Sequence, residues 1–243
     1  MSSTVIDSDN LNALVATLTT GTLRKQLQAI QELSTIEAEG EQALIEFLQQ
    51  YQTARAANAT PPTAAHGSAY QRLHASQRES TKTFVDQAFS AGLLTPESAQ
   101  GVDYSDLQLL LIQQDYQAAD KLTMQKLCEL AGERAIQRKW VYFTEVSQFP
   151  TTDLRTIDTL RRLYSEDKFG WSKQRELWIR LGQDWERLWT QLIWKSAEGK
   201  WTRYPGEFIW ELSTAPVGHL PLSNQLRGVR MMDSLLSHTA WVQ

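Results

Sequence analysis

Apolar residues recur every three or four positions along most of the chain, the spacing that places them on one face of an α-helix. Residues 9–51 carry three such stripes, which Gly21 and Gly40 separate. Helices of this length are marginally stable alone, so the three stripes are expected to pack against one another. The pattern predicts a small N-terminal helical bundle.

The segment 53–69 is rich in alanine, threonine, proline and glycine and has no helical period, which is typical of a linker or an irregular loop. We therefore predict two domains, an N-terminal bundle with its linker over residues 1–69 and a larger helical core over residues 70–243. The core begins with a helix predicted from Tyr70 to about Ala91.

Later stripes predict the remaining helices of the core. They lie around Leu111, around Leu127, from Thr151, from Ser172 to Gly182, from Asp184, and from about Ser223 along Leu222, Leu226, Val229, Met232 and Leu236. Residues 140–150 have the aromatic content of a β-strand, but no partner strand of similar quality is evident, so the segment is predicted as a helix end or an extended loop. The fold class is all-α.

Residues 201–221 carry three prolines and two glycines among aromatic side chains. Proline removes a backbone donor and glycine favours turns, so this segment is predicted to be a long irregular loop.

Composition excludes several classes of protein. No apolar run approaches the roughly 18 residues of a membrane span, and the first ten residues lack a basic cluster and an apolar stretch, so a cytosolic location is expected. The one cysteine, Cys128, rules out internal disulfides and cysteine-rich metal sites.

The net charge of −4 disfavours binding to nucleic acid, which needs excess lysine and arginine. The acidity belongs to residues 1–139, with 11 basic and 16 acidic side chains, or −5, whereas the rest has 13 and 12, or +1. The chain thus has two unlike parts.

Catalytic and metal-binding motifs are absent from the sequence: there is no phosphate-binding glycine loop, GxSxG, HExxH or CxxC. The four histidines are scattered, without a helical i, i+4 pair. His219, in the aromatic loop, is a candidate axial ligand for a haem iron, although a loop imidazole bonded to backbone or water is the commoner case. A haem-dependent enzyme therefore stays open as an alternative to a binding protein.

Aromatic and basic residues coincide near the C-terminus. All nine tryptophans lie at or after Trp140, and those at 201 and 210 do not fall on helix stripes. Arg227 and Arg230 are three residues apart and project from one side of the last predicted helix. Such a surface suits a flat ligand with carboxylates. The alternative is that the tryptophans form the core and the arginines pair with acidic residues at the surface.

The segments TTDLRTID, YSEDKFGWSKQ and LPLSNQLRGVRMMDSLL resemble the genomes-uncoupled family of porphyrin-binding regulators of magnesium chelatase. The resemblance is strong over residues 85–243, and the helical extension before them is similar to that of cyanobacterial members.

This resemblance implies an all-α core that binds protoporphyrin IX and Mg-protoporphyrin IX and needs no further cofactor. It also implies a non-catalytic role in chlorophyll biosynthesis, which is the stimulation of magnesium chelatase through its large porphyrin-binding subunit. Peripheral association with thylakoid or other photosynthetic membranes is implied as well. A helical scaffold that binds only proteins is the other alternative.

Carried over by motif, the resemblance assigns two kinds of ligand contact. The candidate partners of the porphyrin propionates are Arg227 and Arg230. The candidate walls of the pocket are Trp201, Phe208 and Trp210 on one side and Val141 and Phe149 on the other. One departure from the family is visible at Arg161, where relatives are expected to carry an aromatic residue, usually tryptophan, and it bears on local packing.

Overall fold

The computed structural model describes residues 8–36, 38–58, 60–223 and 229–242. Over these ranges the regular structure is thirteen α-helices and one 3-10 turn, with no β-strand, which confirms the all-α prediction. The chain divides into two compact units, an N-terminal unit (Met1–Thr95) and a C-terminal unit (Pro96–Gln243).

Five helices build the N-terminal unit, and the predicted helical bundle is confirmed. They are α1 (Ser8–Thr20), α2 (Leu23–Leu33), α3 (Ala38–Asn58), α4 (Ala64–His74) and α5 (Glu79–Ala88). Helix α2 packs against α1 and α4, and α3 packs against α4. Their apolar stripes meet in a core that contains Ile30, Leu33, Leu44, Leu48 and Leu73.

The segment 53–69 differs from its prediction as a linker, because it completes α3 and forms the first half of α4. Alanine is the best helix former, and Ala64, Ala65 and Ala69 are buried against the rest of the unit. The boundary between the compact units accordingly lies at Thr95, after α5, and not at residue 69.

Two further predictions for this unit are corrected. Gly40 lies inside α3, where a Cβ atom would come within 2.0 Å of the Leu33 carbonyl oxygen, so it allows two helices to approach and does not separate them. The helix predicted from Tyr70 onward is interrupted between α4 and α5. The interruption follows from a tertiary contact, since Ser76 and Thr81 donate hydrogen bonds of 2.8 and 2.5 Å to the Glu41 carboxylate of α3.

The other eight helices belong to the C-terminal unit. They are α6 (Ser105–Ile112), α7 (Tyr116–Ala131), α8 (Glu133–Arg138), α9 (Phe143–Val146), α10 (Thr151–Leu163), α11 (Trp171–Arg180), α12 (Trp185–Gln191) and α13 (Val229–Leu236), followed by the 3-10 turn Thr239–Trp241. The predicted start of α12 is confirmed, because the Asp184 side chain accepts from the Arg187 amide at 3.1 Å. The predicted helix from Thr151 is α10, and its Asp153 carboxylate accepts from the Ala99 amide and the Tyr104 hydroxyl at 2.9 and 2.8 Å, which ties α10 to an earlier segment.

Helix α13 differs from its prediction in the face that it buries. Its buried side chains are Met231, Met232, Leu235 and Leu236, whereas Val229 is exposed. Residues 224–228, which include Leu226, Arg227 and Gly228, lie outside the described residues.

The predicted irregular loop before α13 is confirmed for residues 195–223, which carry no helix. Its one ladder contact is a bridge between Lys195 and Trp201 around a turn at Gly199, where φ is +83°. Among the described helices, none has the length and apolar character that crossing a bilayer would require.

Candidate functional site

Helix α9 and the first turn of α13 pack side by side and form an exposed aromatic and cationic surface. Tyr142 and Phe143 keep 48% and 38% of their surface exposed. The Arg230 guanidinium carbon lies 5.3 Å from the centre of the Phe143 ring, a cation–π distance. The ion pairs found among the described residues do not include Arg230.

A second arginine, Arg138, contacts several side chains of this surface. Arg138 pairs with the Glu145 carboxylate and donates to the Trp140 carbonyl at 2.8 Å. Its guanidinium carbon lies 5.0 Å from the Trp140 ring centre and 4.4 Å from that of Tyr142, and these two rings meet edge to face at 4.2 Å. Arg138 is thus paired with Glu145, whereas Arg230 is in none of the ion pairs of the described residues. We call Trp140, Tyr142, Phe143, Val229 and Arg230 the α9 surface.

Val141 and Phe149, two of the residues predicted to form a wall, are core residues in this structure. Only 2% and 4% of their surfaces are exposed. The exposed aromatic side chains of the same segment are Tyr142 and Phe143, which sequence reasoning did not select. The run WVYF is apolar throughout, so its composition gives no signal of which side chain turns outward.

The loop aromatics Phe208 and Trp210 pack on each other, with ring centres 5.7 Å apart. Phe208 is buried and lies 5.1 Å from the His219 ring. The Trp210 indole N–H donates to the Pro205 carbonyl at 3.1 Å. These two predicted wall residues therefore pack and hydrogen-bond mainly with other residues of the loop, and we call them the loop cluster.

Trp201 belongs to a different cluster, which we call the indole row. Trp178, Trp185, Trp189 and Trp194 stack in sequence with ring centres 4.8, 5.2 and 5.5 Å apart. Trp201 tilts against Trp189 at 5.9 Å and keeps 38% of its surface exposed. Most of the row is core, as the alternative interpretation of the tryptophans predicted, and Trp201 is its end at the surface.

The predicted site residues thus fall into three places. Arg230 lies on the α9 surface, Trp201 ends the indole row, and Phe208 and Trp210 share the loop cluster. In the described part of the chain, no ring or cation–π contact joins the loop aromatics to Phe143. Arg227 lies outside the described residues.

His219 has both ring nitrogens engaged inside the protein. Its Nδ1 lies 2.7 Å from the Leu192 carbonyl oxygen, to which it donates, and its Nε2 accepts from the Ile209 amide at 3.1 Å. Burial lowers the pKa of His219, which keeps the imidazole neutral. This arrangement leaves no lone pair for an iron, so the geometry disfavours the haem-enzyme alternative. The described residues also contain no cluster of three or more histidine, cysteine, aspartate or glutamate side chains suited to a metal ion.

Comparison with known protein families shows two matches that together cover most of the chain. The family described as GUN4-like matches residues 97–239, and the family described as "ARM-like repeat domain, GUN4-N terminal" matches residues 2–90. The chain belongs to the GUN4-like family. One relative is a Ycf53-like protein of Synechocystis sp., 44% identical over 236 residues that cover 97% of this chain and 98% of that protein. The resemblance found in the sequence is confirmed.

Other GUN4 relatives match a smaller share of the chain. A chloroplastic tetrapyrrole-binding protein of Arabidopsis thaliana is 36% identical over 138 residues, 54% of this chain and 52% of that protein. The structure of GUN4 from Chlamydomonas reinhardtii aligns with a TM-score of 0.57 and 35% identity, covering 62% of this chain and 95% of that one. The ligand-free structure of Arabidopsis thaliana GUN4 aligns with a TM-score of 0.54 and 35% identity, covering 59% and 100%.

Proposed function

We propose that this GUN4-family protein binds porphyrins that carry propionate groups, namely protoporphyrin IX and Mg-protoporphyrin IX, on the α9 surface. The observation that carries the proposal is the Arg230 guanidinium over the exposed Phe143 ring, with no carboxylate partner among the described residues. An exposed ring beside an unpaired guanidinium matches a flat macrocycle with acid arms. The name of the Arabidopsis thaliana relative, a tetrapyrrole-binding protein, supports the same ligand class.

The expected affinity is moderate. Burying about 400 Å² of macrocycle at about 25 cal/mol/Å² contributes about 10 kcal/mol, and the loss of translational and rotational freedom removes at least about 4 kcal/mol. Two contacts between arginine and carboxylate at a wet rim, from Arg230 and Arg227, add about 1 kcal/mol each. The sum corresponds to a dissociation constant near micromolar, which suits a protein that must pass its ligand on.

In this proposal the protein catalyses no reaction itself. It presents or removes the porphyrin for the large porphyrin-binding subunit of magnesium chelatase and so stimulates magnesium insertion. We place it in the cytoplasm and, with porphyrin bound, at the periphery of photosynthetic membranes.

A chelatase assay with purified subunits at limiting magnesium tests this role. Adding the wild-type protein is expected to raise the rate of magnesium insertion, and adding a variant that does not bind porphyrin is expected to have no effect. Equal stimulation by both would instead favour the scaffold that binds only proteins.

The Arg230→Ala variant tests the proposed acid contact. It is expected to bind protoporphyrin IX about fivefold more weakly, which corresponds to about 1 kcal/mol, and to bind the dimethyl ester as the wild type does. Titrations followed by the Soret band measure both constants. Arg187→Ala is the matched control, because Arg187 is also an exposed helical arginine. Equal weakening of acid and ester would show that Arg230 only supports the fold.

A further inference from the structure

An open groove with a volume of about 730 Å³ lies on the C-terminal unit. It is lined by α12, by the turn of residues 195–199, and by Leu181, Ile193 and Pro216, and its lining residues include none of the α9 surface. Most of these lining residues are exposed. A pocket for a small molecule usually encloses its ligand, so this open groove is better suited to a segment of another protein.

The turn that forms one side of the groove is held in place by its own backbone. Lys195 and Trp201 form an antiparallel bridge. Inside this bridge the Ser196 amide donates to the Lys200 carbonyl at 2.8 Å, and the Gly199 amide donates to the Ser196 carbonyl at 3.0 Å. The Lys195 ammonium lies 5.3 Å from the Trp201 ring centre. Because the turn is already ordered, binding of a partner requires little ordering of this side of the groove.

Ile193 presents an apolar side chain to this groove from an unusual backbone conformation. Its φ is +56°, in the left-handed region that is unfavourable for L-residues and most unfavourable for a β-branched side chain. Its neighbours Leu192 and Trp194 are completely buried, whereas Ile193 keeps 47% of its surface exposed. Burial within the chain therefore offsets only part of the strain.

A nearby helix end shows that the fold does not require isoleucine at this position. Helix α12 ends in a Schellman motif, in which the Trp194 amide donates to the Trp189 carbonyl at 2.9 Å and the Ile193 amide to the Thr190 carbonyl at 3.1 Å. Helix α11 ends with the same two hydrogen bonds, and there Gly182 takes the place of Ile193, with a φ of +73°. Glycine is the usual residue in this conformation. A strained residue that glycine could replace is a candidate for a binding role.

The charges that line the groove favour an acidic partner. The Lys195 ammonium and the Glu186 carboxylate neutralise each other, with Nζ and Oε2 2.6 Å apart. Arg187 also lines the groove, and 71% of its side chain is exposed. Its ion pair with Asp184 is long, at 3.5 Å between Nε and Oδ2, and an exposed pair of this kind is weak. A carboxylate of a partner can therefore replace Asp184 at the Arg187 guanidinium at small cost.

We propose that this groove docks a partner protein through an acidic segment with an apolar side chain: Ile193 contacts the apolar side chain, and Arg187 binds a carboxylate. Under the proposed function the partner is the large porphyrin-binding subunit of magnesium chelatase, and the inference rests on that function. The groove and the α9 surface share no residue, so the protein holds a porphyrin at one surface while it is docked at the other.

The Arg187→Glu/Ile193→Gly variant tests the docking surface. Binding of the purified large subunit to the porphyrin-free protein is measured by biolayer interferometry. The variant is expected to bind at least about tenfold more weakly than the wild type, because it loses an apolar contact and repels the carboxylate of the partner.

Leu109→Ala/Lys121→Glu is the matched control. It also removes an exposed apolar side chain and reverses an exposed cation, but on α6 and α7, outside the groove. Its affinity for the large subunit is expected to stay within about twofold of that of the wild type.

The single variant Ile193→Gly separates docking from folding. Relief of the left-handed strain is expected to lower the equilibrium constant of unfolding about fivefold, as measured by urea denaturation followed by circular dichroism. The same variant is expected to bind the large subunit about fivefold more weakly. A more stable protein that binds less tightly has not lost its binding through unfolding. Unchanged binding by this variant would show that Ile193 is not an anchor and would overturn the proposal.

Three further results would overturn the proposal. The first is equal binding of the large subunit by the wild type and the double variant in the groove, or no binding by the wild type. The second is a weaker affinity of that double variant for protoporphyrin IX in a Soret titration, which would assign the groove to the tetrapyrrole site. The third is a dimer of the wild type, seen by analytical ultracentrifugation, that the double variant does not form, since a second copy of the chain would then occupy the groove.

The docking surface and the porphyrin site fail separately. If the wild type binds the large subunit through the groove but leaves the Soret band of protoporphyrin IX unshifted, the docking surface stands and the proposed porphyrin binding fails. If the wild type shifts the Soret band but does not bind the large subunit, porphyrin binding stands and the docking proposal fails.

Discussion

Replacing Trp194 with alanine is expected to lower the free energy of unfolding of the C-terminal unit by about 3–5 kcal/mol. Trp194 is completely buried and stacks on Trp189 with the ring planes only 12° apart. Its indole N–H donates to the His219 carbonyl at 2.8 Å. The substitution therefore leaves both a large cavity and a buried carbonyl without its donor. Urea unfolding followed by circular dichroism measures the loss.

The matched control is Trp201→Ala, at the exposed end of the same indole row. Because part of this ring is already in water, its removal is expected to cost no more than about 1.5 kcal/mol. The difference between the two variants distinguishes tryptophans that build the core from those that are available at the surface. Equal losses of stability would contradict the assignment of Trp201 to the surface.

Lowering the pH from 7 to 5 is expected to reduce the stability of the N-terminal unit by about 2 kcal/mol through His66 alone. Its ring stacks on Phe47 and Tyr51 with centres 4.7 and 4.5 Å away, and its Nδ1 accepts from the Thr63 amide at 2.9 Å. Burial lowers the pKa of His66 to about 4. A protonated Nδ1 could not accept that hydrogen bond.

The sign follows from where the proton binds. The unfolded chain takes up a proton near pH 6.5, whereas the folded chain resists until about pH 4. The stabilising contribution of neutral His66 is therefore complete above pH 6.5 and is lost as the pH falls towards 4. Urea unfolding at pH 7 and 5 measures the change, and His66→Gln is expected to show a smaller one. His74→Gln is the control. The account is contradicted if wild type and His66→Gln lose the same stability.

Local sequence signals predicted the helices of the C-terminal unit well. Asp184 is a side-chain cap, and Gly182 adopts a positive φ just after the end of α11, so each signal acts within a few residues. Gly40 shows the limit of such signals. A glycine is needed at position 40 because a Cβ atom there would collide with the Leu33 carbonyl of the preceding helix, and the residues next to Gly40 in the sequence do not reveal this contact.

The sequence predicted the types of residue in the candidate site, a cation beside aromatic rings, but only some of the residues themselves. The spacing of residues identified Arg230 as a cation near aromatic groups, and the structure places it over Phe143. The sequence did not distinguish Phe143 from the buried Val141, because the packing of α9 against α13 decides which side chain faces outward. Arg161 is another residue whose surroundings the sequence did not predict. It contacts Thr123 and Asp120 of α7, and a local pattern within α10 cannot reveal residues on another helix.

The central claim is that the α9 surface binds a tetrapyrrole. Its most direct test is a titration of Mg-protoporphyrin IX into the wild type and into the Phe143→Ala/Arg230→Ala variant, followed by the Soret band and by tryptophan fluorescence. Binding to the wild type is expected to shift the Soret band of the porphyrin with a dissociation constant near micromolar. The double variant is expected to bind at least about tenfold more weakly. An unshifted band at excess porphyrin, or equal affinity of the two proteins, would contradict the claim.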